Sequence, residues 1–165
     1  MSMGGLRYRN LHTFISDDWE GRFTNRLRYY TDDGFENKAS YDIETDFSER
    51  YFFRTTFTGV VAERYDGMPF SAIARLYQVR DIDKVILYDF GTYYDTDPEL
   101  TLTDVQFRFR YRQRFYRDWL VLELAPQITF PEDRDYDPNP GLVIKFEADI
   151  GYLQDEQTYH NIFKF

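Results

Sequence analysis

The chain holds 165 residues, with 29 Asp plus Glu against 20 Lys plus Arg, a formal net charge of −9, and no cysteine. That length fits one domain, the missing thiols exclude disulfides, Cys-ligated zinc, iron–sulfur clusters and thiol nucleophiles, and the acidic balance argues against a nucleic-acid partner. Aromatic residues make up 20%, too many for an intrinsically disordered chain, and no apolar run approaches the ~18 residues of a transmembrane helix.

Met1–Gly5 resemble an expression tag more than fold-bearing sequence. No basic and then apolar leader follows, so an export signal, if used, has been removed or lies outside this chain. Residues 6–15 (LRYRNLHTFI) read as an extra strand, with a tight Ser16–Asp18 turn after them. The segment 1–16 is therefore set apart from the main pattern over 17–153.

From residue 20 the dominant period is two, the signature of strands with unlike faces. Residues 20–30 set Phe23, Leu27 and Tyr29 against Arg22, Arg26 and Arg28. Residues 35–47 set Phe35, Ala39, Tyr41, Ile43 and Phe47 against Glu36, Lys38, Asp42, Glu44 and Asp46. Residues 50–62 place Tyr51, Phe53, Phe57 and Val61 on one face. Residues 68–79 place Phe70, Ala72, Ala74 and Leu76 opposite Ser71, Arg75 and Tyr77. Residues 84–94 are nearly apolar on both faces, with Asp89 the odd polar residue.

The most regular run follows at 105–115. Val105, Phe107, Phe109, Tyr111 and Phe115 alternate with Gln106, Arg108, Arg110, Arg112 and Arg114, with Gln113 the exception. Residues 120–130 set Leu120, Leu122 and Leu124 against Glu123 and Gln127. Residues 142–152 set Leu142, Ile144 and Phe146 against Lys145, Glu147 and Asp149. That makes eight strands, and no capping box opens a 3.6-residue period anywhere. The tail 154–165 is left as a short tenth strand or a disordered end.

Links near Ser48, Ile82 and Arg117 are tight, whereas Glu63–Met68, Asp95–Glu99 and Pro131–Pro140 are longer and acidic. Tight turns at one end and long loops at the other are the pattern of transmembrane barrels, whose strands cross a bilayer in about 9–11 residues. The expected fold is an all-β, antiparallel up-and-down transmembrane barrel of about eight strands. The apolar face then meets lipid. Tyr29, Tyr30, Tyr51, Phe52, Tyr93, Tyr94, Phe115, Tyr116, Trp119 and Tyr152 are assigned to interfacial girdles. The alternative is a soluble up-and-down barrel with the apolar face inside, carrying a lipid or other apolar ligand. A fragment of a larger, anion-preferring pore is the other alternative.

Three stretches, RFTNRLRYYTDDGFENKASYDIE, RYFFRTTFTG and FRYRQRFYRDWLVLELAPQITFPEDRDYDPNPGLVIKFEADIGY, resemble the C-terminal barrel of uncharacterised Gram-negative outer-membrane proteins. The resemblance covers most of 17–152, and its most specific parts are the RQRFYRDWL turn and the acidic, proline-containing loop after ITFP. It implies fold and location and brings no catalytic residues. In that family the barrel usually ends the chain, whereas Gln154–Phe165 follow it here.

No residue constellation points to chemistry. His12 and His160 lack metal-ligand spacing. No serine sits in a nucleophile elbow or near a histidine. The acids of 95–99 and 131–140 lack the offsets of an EF-hand loop. The chain is therefore expected to be non-enzymatic and without cofactor. Its expected partners are membrane lipid, lipopolysaccharide and the outer-membrane assembly machinery. The candidate site is a network of lumen charges: Arg108, Arg110, Arg112, Arg114, Glu123, Lys145, Glu147, Asp149, Asp42 and Glu44. In a narrow interior, guanidiniums on alternate residues must be partnered by carboxylates: Arg22, Arg26 and Arg28 are expected beside Glu36, Asp42, Glu44 and Asp46, and Arg108, Arg110, Arg112 and Arg114 beside Glu123, facing Lys145, Glu147 and Asp149 across the lumen.

Overall fold

The computed structural model describes residues 3–16, 18–116 and 120–148. They form nine strands: β1 (Met3–Ser16), β2 (Trp19–Tyr30), β3 (Gly34–Ser48), β4 (Tyr51–Ala62), β5 (Phe70–Asp81), β6 (Lys84–Asp95), β7 (Thr101–Tyr116), β8 (Leu120–Pro131) and β9 (Asn139–Ala148). All nine join one sheet in sequence order, each antiparallel to the next. The all-β, up-and-down reading holds. The count differs by one, because the segment set apart at the N-terminus is a full strand. Met3, Gly4 and Gly5, read above as tag-like, pair with Tyr30, Tyr29 and Arg28.

The strands form where alternation is sustained and stop where turn residues interrupt it. Two-residue links, Glu49–Arg50 and Ile82–Asp83, join β3 to β4 and β5 to β6. Gly34 opens β3 with φ +73°, a left-handed conformation that a side chain would strain, and an added Cβ would also run into Glu63. In the 131–140 loop a 3₁₀ turn, Glu132–Arg134, is the one helical element among the described residues. Its chain reversal continues through left-handed Asp135 and Tyr136, and the Tyr136 hydroxyl donates to the Leu102 carbonyl at 2.6 Å.

The registers carry one row of residues across the whole sheet. Leu11 lies opposite Arg22, and the row continues through Asp42, Thr56, Ile73, Gly91, Gln106 and Thr129 to Asn139. It starts well along β1 and arrives at the first residue of β9, so the strands are staggered steadily around the sheet. Several ladders carry bulges near their ends, and one is interrupted in mid-strand. Between β7 and β8 the pairing passes from Arg108–Gln127 to Tyr111–Leu124. Pro126 sits in the gap, where its missing N–H cannot donate to β7.

Except on β9, where both faces are largely exposed, the two faces differ in cover as well as in composition. Tyr77 and Leu87 are 2% and 1% exposed, and Val85 and Ala125 are also buried. All four belong to the charged face by register. A single-layer sheet can bury one face only by curling around it, so this face is the inner one. The other face stays open: Phe57, Tyr88, Phe90, Phe107, Phe109, Leu142, Ile144 and Phe146 are all exposed.

Candidate functional site: the charged inner face

The inner face is a set of ion pairs between neighbouring strands. On β2 to β4, Arg22 Nε contacts Asp42 Oδ2 at 3.2 Å and a second nitrogen of Arg22 contacts Glu44. Arg54 reaches the same Glu44 carboxylate at 3.0 Å, and Thr56 donates to Asp42 at 2.7 Å. Toward the long-loop end, Glu36 is buried between Arg28 and Arg64. Arg64 lies outside the strands, over the rings of Tyr30 and Tyr65. Its pKa is raised further above the ordinary value, first by the Tyr65 hydroxyl and then by Glu36 and Asp33, so its charge is permanent.

The centre of the network is Asp89 on β6. Its side chain is 9% exposed and lies between Arg75 Nε at 3.3 Å and Arg110 at 2.8 Å. Arg112 contacts Glu123 at 3.8 Å and Glu147 at 3.0 Å, and Lys145 also reaches Glu147 at 3.1 Å. Arg108 donates to Gln127 Oε1 at 2.9 Å, while Arg114 lies 3.9 Å from Asp83. The low exposure of Arg110 and Arg112, 13% and 12%, makes these pairs matter. A guanidinium withdrawn from water needs a carboxylate within reach.

The sequence placed most of these residues on the right face but matched some to the wrong partners. The Arg row was expected to face Lys145 and Glu147 across a lumen. Arg112 instead reaches Glu147 sideways over β8, because Glu123 and Lys145 occupy the same cross-strand line. Asp42 and Glu44 belong to the network but serve Arg22 and Arg54 rather than the row on β7. Asp149 lies outside the described residues. Arg22 was expected beside Asp42 and Glu44 and is found there, whereas Asp89, Arg54 and Arg75 were not among the candidates. Asp89 was legible, since it occurs alone in an apolar run and in phase with Leu87 and Gly91 on the inner face.

The outer face is aromatic from end to end. Near the tight-turn end Trp19 meets Phe47 and Phe53 edge-on at 6.3 and 6.4 Å. In the middle Phe90 packs on Phe107 at 4.8 Å and Tyr88 on Phe109 at 5.4 Å. Toward the long loops Phe70 stacks on Tyr94 at 4.7 Å. Gln113, the exception in the β7 alternation, accepts a hydrogen bond from Tyr111 at 2.6 Å. Three expected girdle residues belong to the inner face instead. Tyr30 accepts from Arg28, Phe52 packs on Tyr77, and the Tyr93 hydroxyl donates to Gln106. Consecutive aromatics in a strand point to opposite faces, so a doublet supplies only one outward ring. Trp119, Tyr152 and the side chain of Tyr116 lie outside the description.

No family model, curated protein or solved structure matches this chain. The functional reading rests on the distribution of charge and apolar surface just described. Among the described residues no group of His, Asp or Glu converges as a metal site. A groove of about 600 Å³, lined by Phe53, Leu76, Phe90, Phe107 and Ile128, opens on the apolar side.

Proposed function

We propose that the chain is a membrane-spanning β-barrel protein of a Gram-negative outer membrane, non-enzymatic, with an interior filled by charge pairs. One observation carries this reading: the covered face holds the ions and the exposed face holds the aromatics. A water-soluble barrel has the reverse arrangement, because apolar burial drives its folding. Contiguous aromatic surface of this extent calls for an apolar surrounding. Hydrocarbon supplies one, and the strands of 10–16 residues are long enough to cross it with tilt.

The same reading orients the molecule. Short turns face the periplasm and longer loops face outward in such barrels. The links at Glu49–Arg50 and Ile82–Asp83 then face inward, and the acidic loop around Asp135 faces out, toward lipopolysaccharide. The test is flotation. Refolded protein mixed with lipid vesicles should rise with them through a density gradient and resist extraction by high salt. On unheated gels it should migrate differently from the boiled form. A folded monomer that stays soluble in plain buffer and remains at the bottom of the gradient would overturn the proposal.

A further inference from the structure

On one part of the inner face the matching of charge fails. Arg26, expected beside a carboxylate, stands directly opposite Lys38 on β3, and on its other side the backbone register sets it opposite Arg7 of β1. The three cations make one row across β1, β2 and β3. Residues directly opposite in an antiparallel pair hold their Cβ atoms about 4.5–5.5 Å apart, and like charges there repel. Among the described residues neither the Arg26 nor the Lys38 side chain has an ion-pair or hydrogen-bond partner.

The nearest carboxylates are already engaged. Glu36, one inner-face position along β3 from Lys38, is held by Arg28 and Arg64. Asp42, two positions the other way, is held by Arg22 and Thr56. Over the inner-face positions of 5–9 on β1, 24–28 on β2 and 36–40 on β3, five residues are cationic and one, Glu36, is acidic. A chain of net charge −9 thus gathers positive charge here against its own composition. The row is also accessible. Arg110 and Arg112 are largely withdrawn from water around their acids, whereas Lys38 is exposed and Arg26 only half-buried.

A row of hydroxyls runs beside the cations. Thr24 lies opposite Ser40, and Ser40 opposite Thr58. The Ser40 and Thr58 hydroxyls are 3.2 Å apart. That bond uses one of their two protons and leaves the other for a further acceptor. Guanidinium, ammonium and hydroxyl donors side by side suit an oxyanion, whose several oxygens can each take a separate, charge-assisted bond. A halide would use the charge and leave the forked geometry of the guanidinium idle.

We infer that Arg26, Lys38 and the Ser40–Thr58 pair form a binding site for a phosphate group on a water-soluble molecule, either free phosphate or a phosphate ester, with Arg7 on the β1 side of the row. The site belongs to the inner face and does not depend on what surrounds the outer one. A phosphate anchored by acyl chains at the outer face does not reach it.

The test uses the refolded full chain in micelles of a non-ionic detergent, its fold checked by heat-modifiable gel migration. Equilibrium dialysis against radiolabelled inorganic phosphate, at an ionic strength held constant with chloride, should show saturable uptake at a single site. Arg26→Gln and Lys38→Gln should each weaken that uptake about tenfold, and Lys38→Arg should retain it. Arg80→Gln, which removes an exposed cation near the tight-turn end of β5, should leave it unchanged. Glycerol phosphate should compete, and phosphatidic acid in the micelle should not. Stability gives a readout opposite in sign to that of a merely structural pair. Without phosphate, Lys38→Gln relieves a repulsion and should raise the temperature at which the folded gel form converts to the boiled form. Phosphate should raise that temperature in the parent and not in Lys38→Gln. Absence of saturable uptake, uptake unchanged in both neutral variants, displacement by phosphatidic acid, or a loss of stability in phosphate-free Lys38→Gln would each overturn the site.

Discussion

Asp89 is the residue on which the inner face depends most. Arg75 and Arg110 both turn to it, and all three side chains are largely withdrawn from water. Replacing it by Asn removes the charge without changing the volume and leaves two guanidiniums short of a counter-ion. Breaking a buried pair in this way costs on the order of 3 kcal/mol. Asp89→Asn should therefore lower the temperature at which the folded gel form converts to the boiled form. Lys145→Gln is the control: its side chain is 53% exposed, and an exposed pair contributes less than about 1 kcal/mol. Equal losses in the two variants would remove Asp89 from the centre of the network. The contrast also shows what a single sequence reveals at this scale. Alternation tells which face a residue occupies. It does not tell which Arg an acid meets, because that depends on register between strands, and register is set by loop lengths and bulges such as those at Ser48 and Asp81.

At the scale of the strand, alternation was most informative where both faces were strongly typed, as on β7. It was least informative on β6, where apolar residues lie on both sides and only Asp89 breaks the run. The β7–β8 interruption was missed because Pro126 sits inside an otherwise regular apolar pattern, and periodicity ignores a missing N–H. The outer positions of these strands also separate the two architectures that alternation alone left open. Phe90 is exposed and packs on Phe107. Facing hydrocarbon, Phe90→Arg costs about 2–4 kcal/mol near the bilayer midplane. Facing water, the same change at a surface site falls within about 0.5 kcal/mol. Equilibrium unfolding from lipid vesicles should show the larger loss. A Phe90→Arg variant as stable as the parent would place that face in water.

At the scale of the whole molecule, the question is whether the interior conducts. Four guanidiniums on alternate residues of β7 suggest an anion path when taken alone, since cationic linings select anions. The geometry opposes that reading in two places. Asp89, Glu123, Glu147 and Asp83 lie beside Arg110, Arg112 and Arg114, so the positive charge is matched within the sheet rather than offered to mobile ions. Toward the tight-turn end, the buried Tyr77 packs on Phe52 with Leu87 and Val85 close by in the register, which replaces water with apolar bulk. Side chains of this size can fill the interior of a narrow barrel. Planar-bilayer recording of the refolded protein should therefore show little or no steady conductance, and Arg110→Ala should lower the unfolding temperature instead of altering a current. A sizeable anion-selective conductance that collapses on Arg110→Glu would overturn the filled interior. The same four arginines would then line a pore.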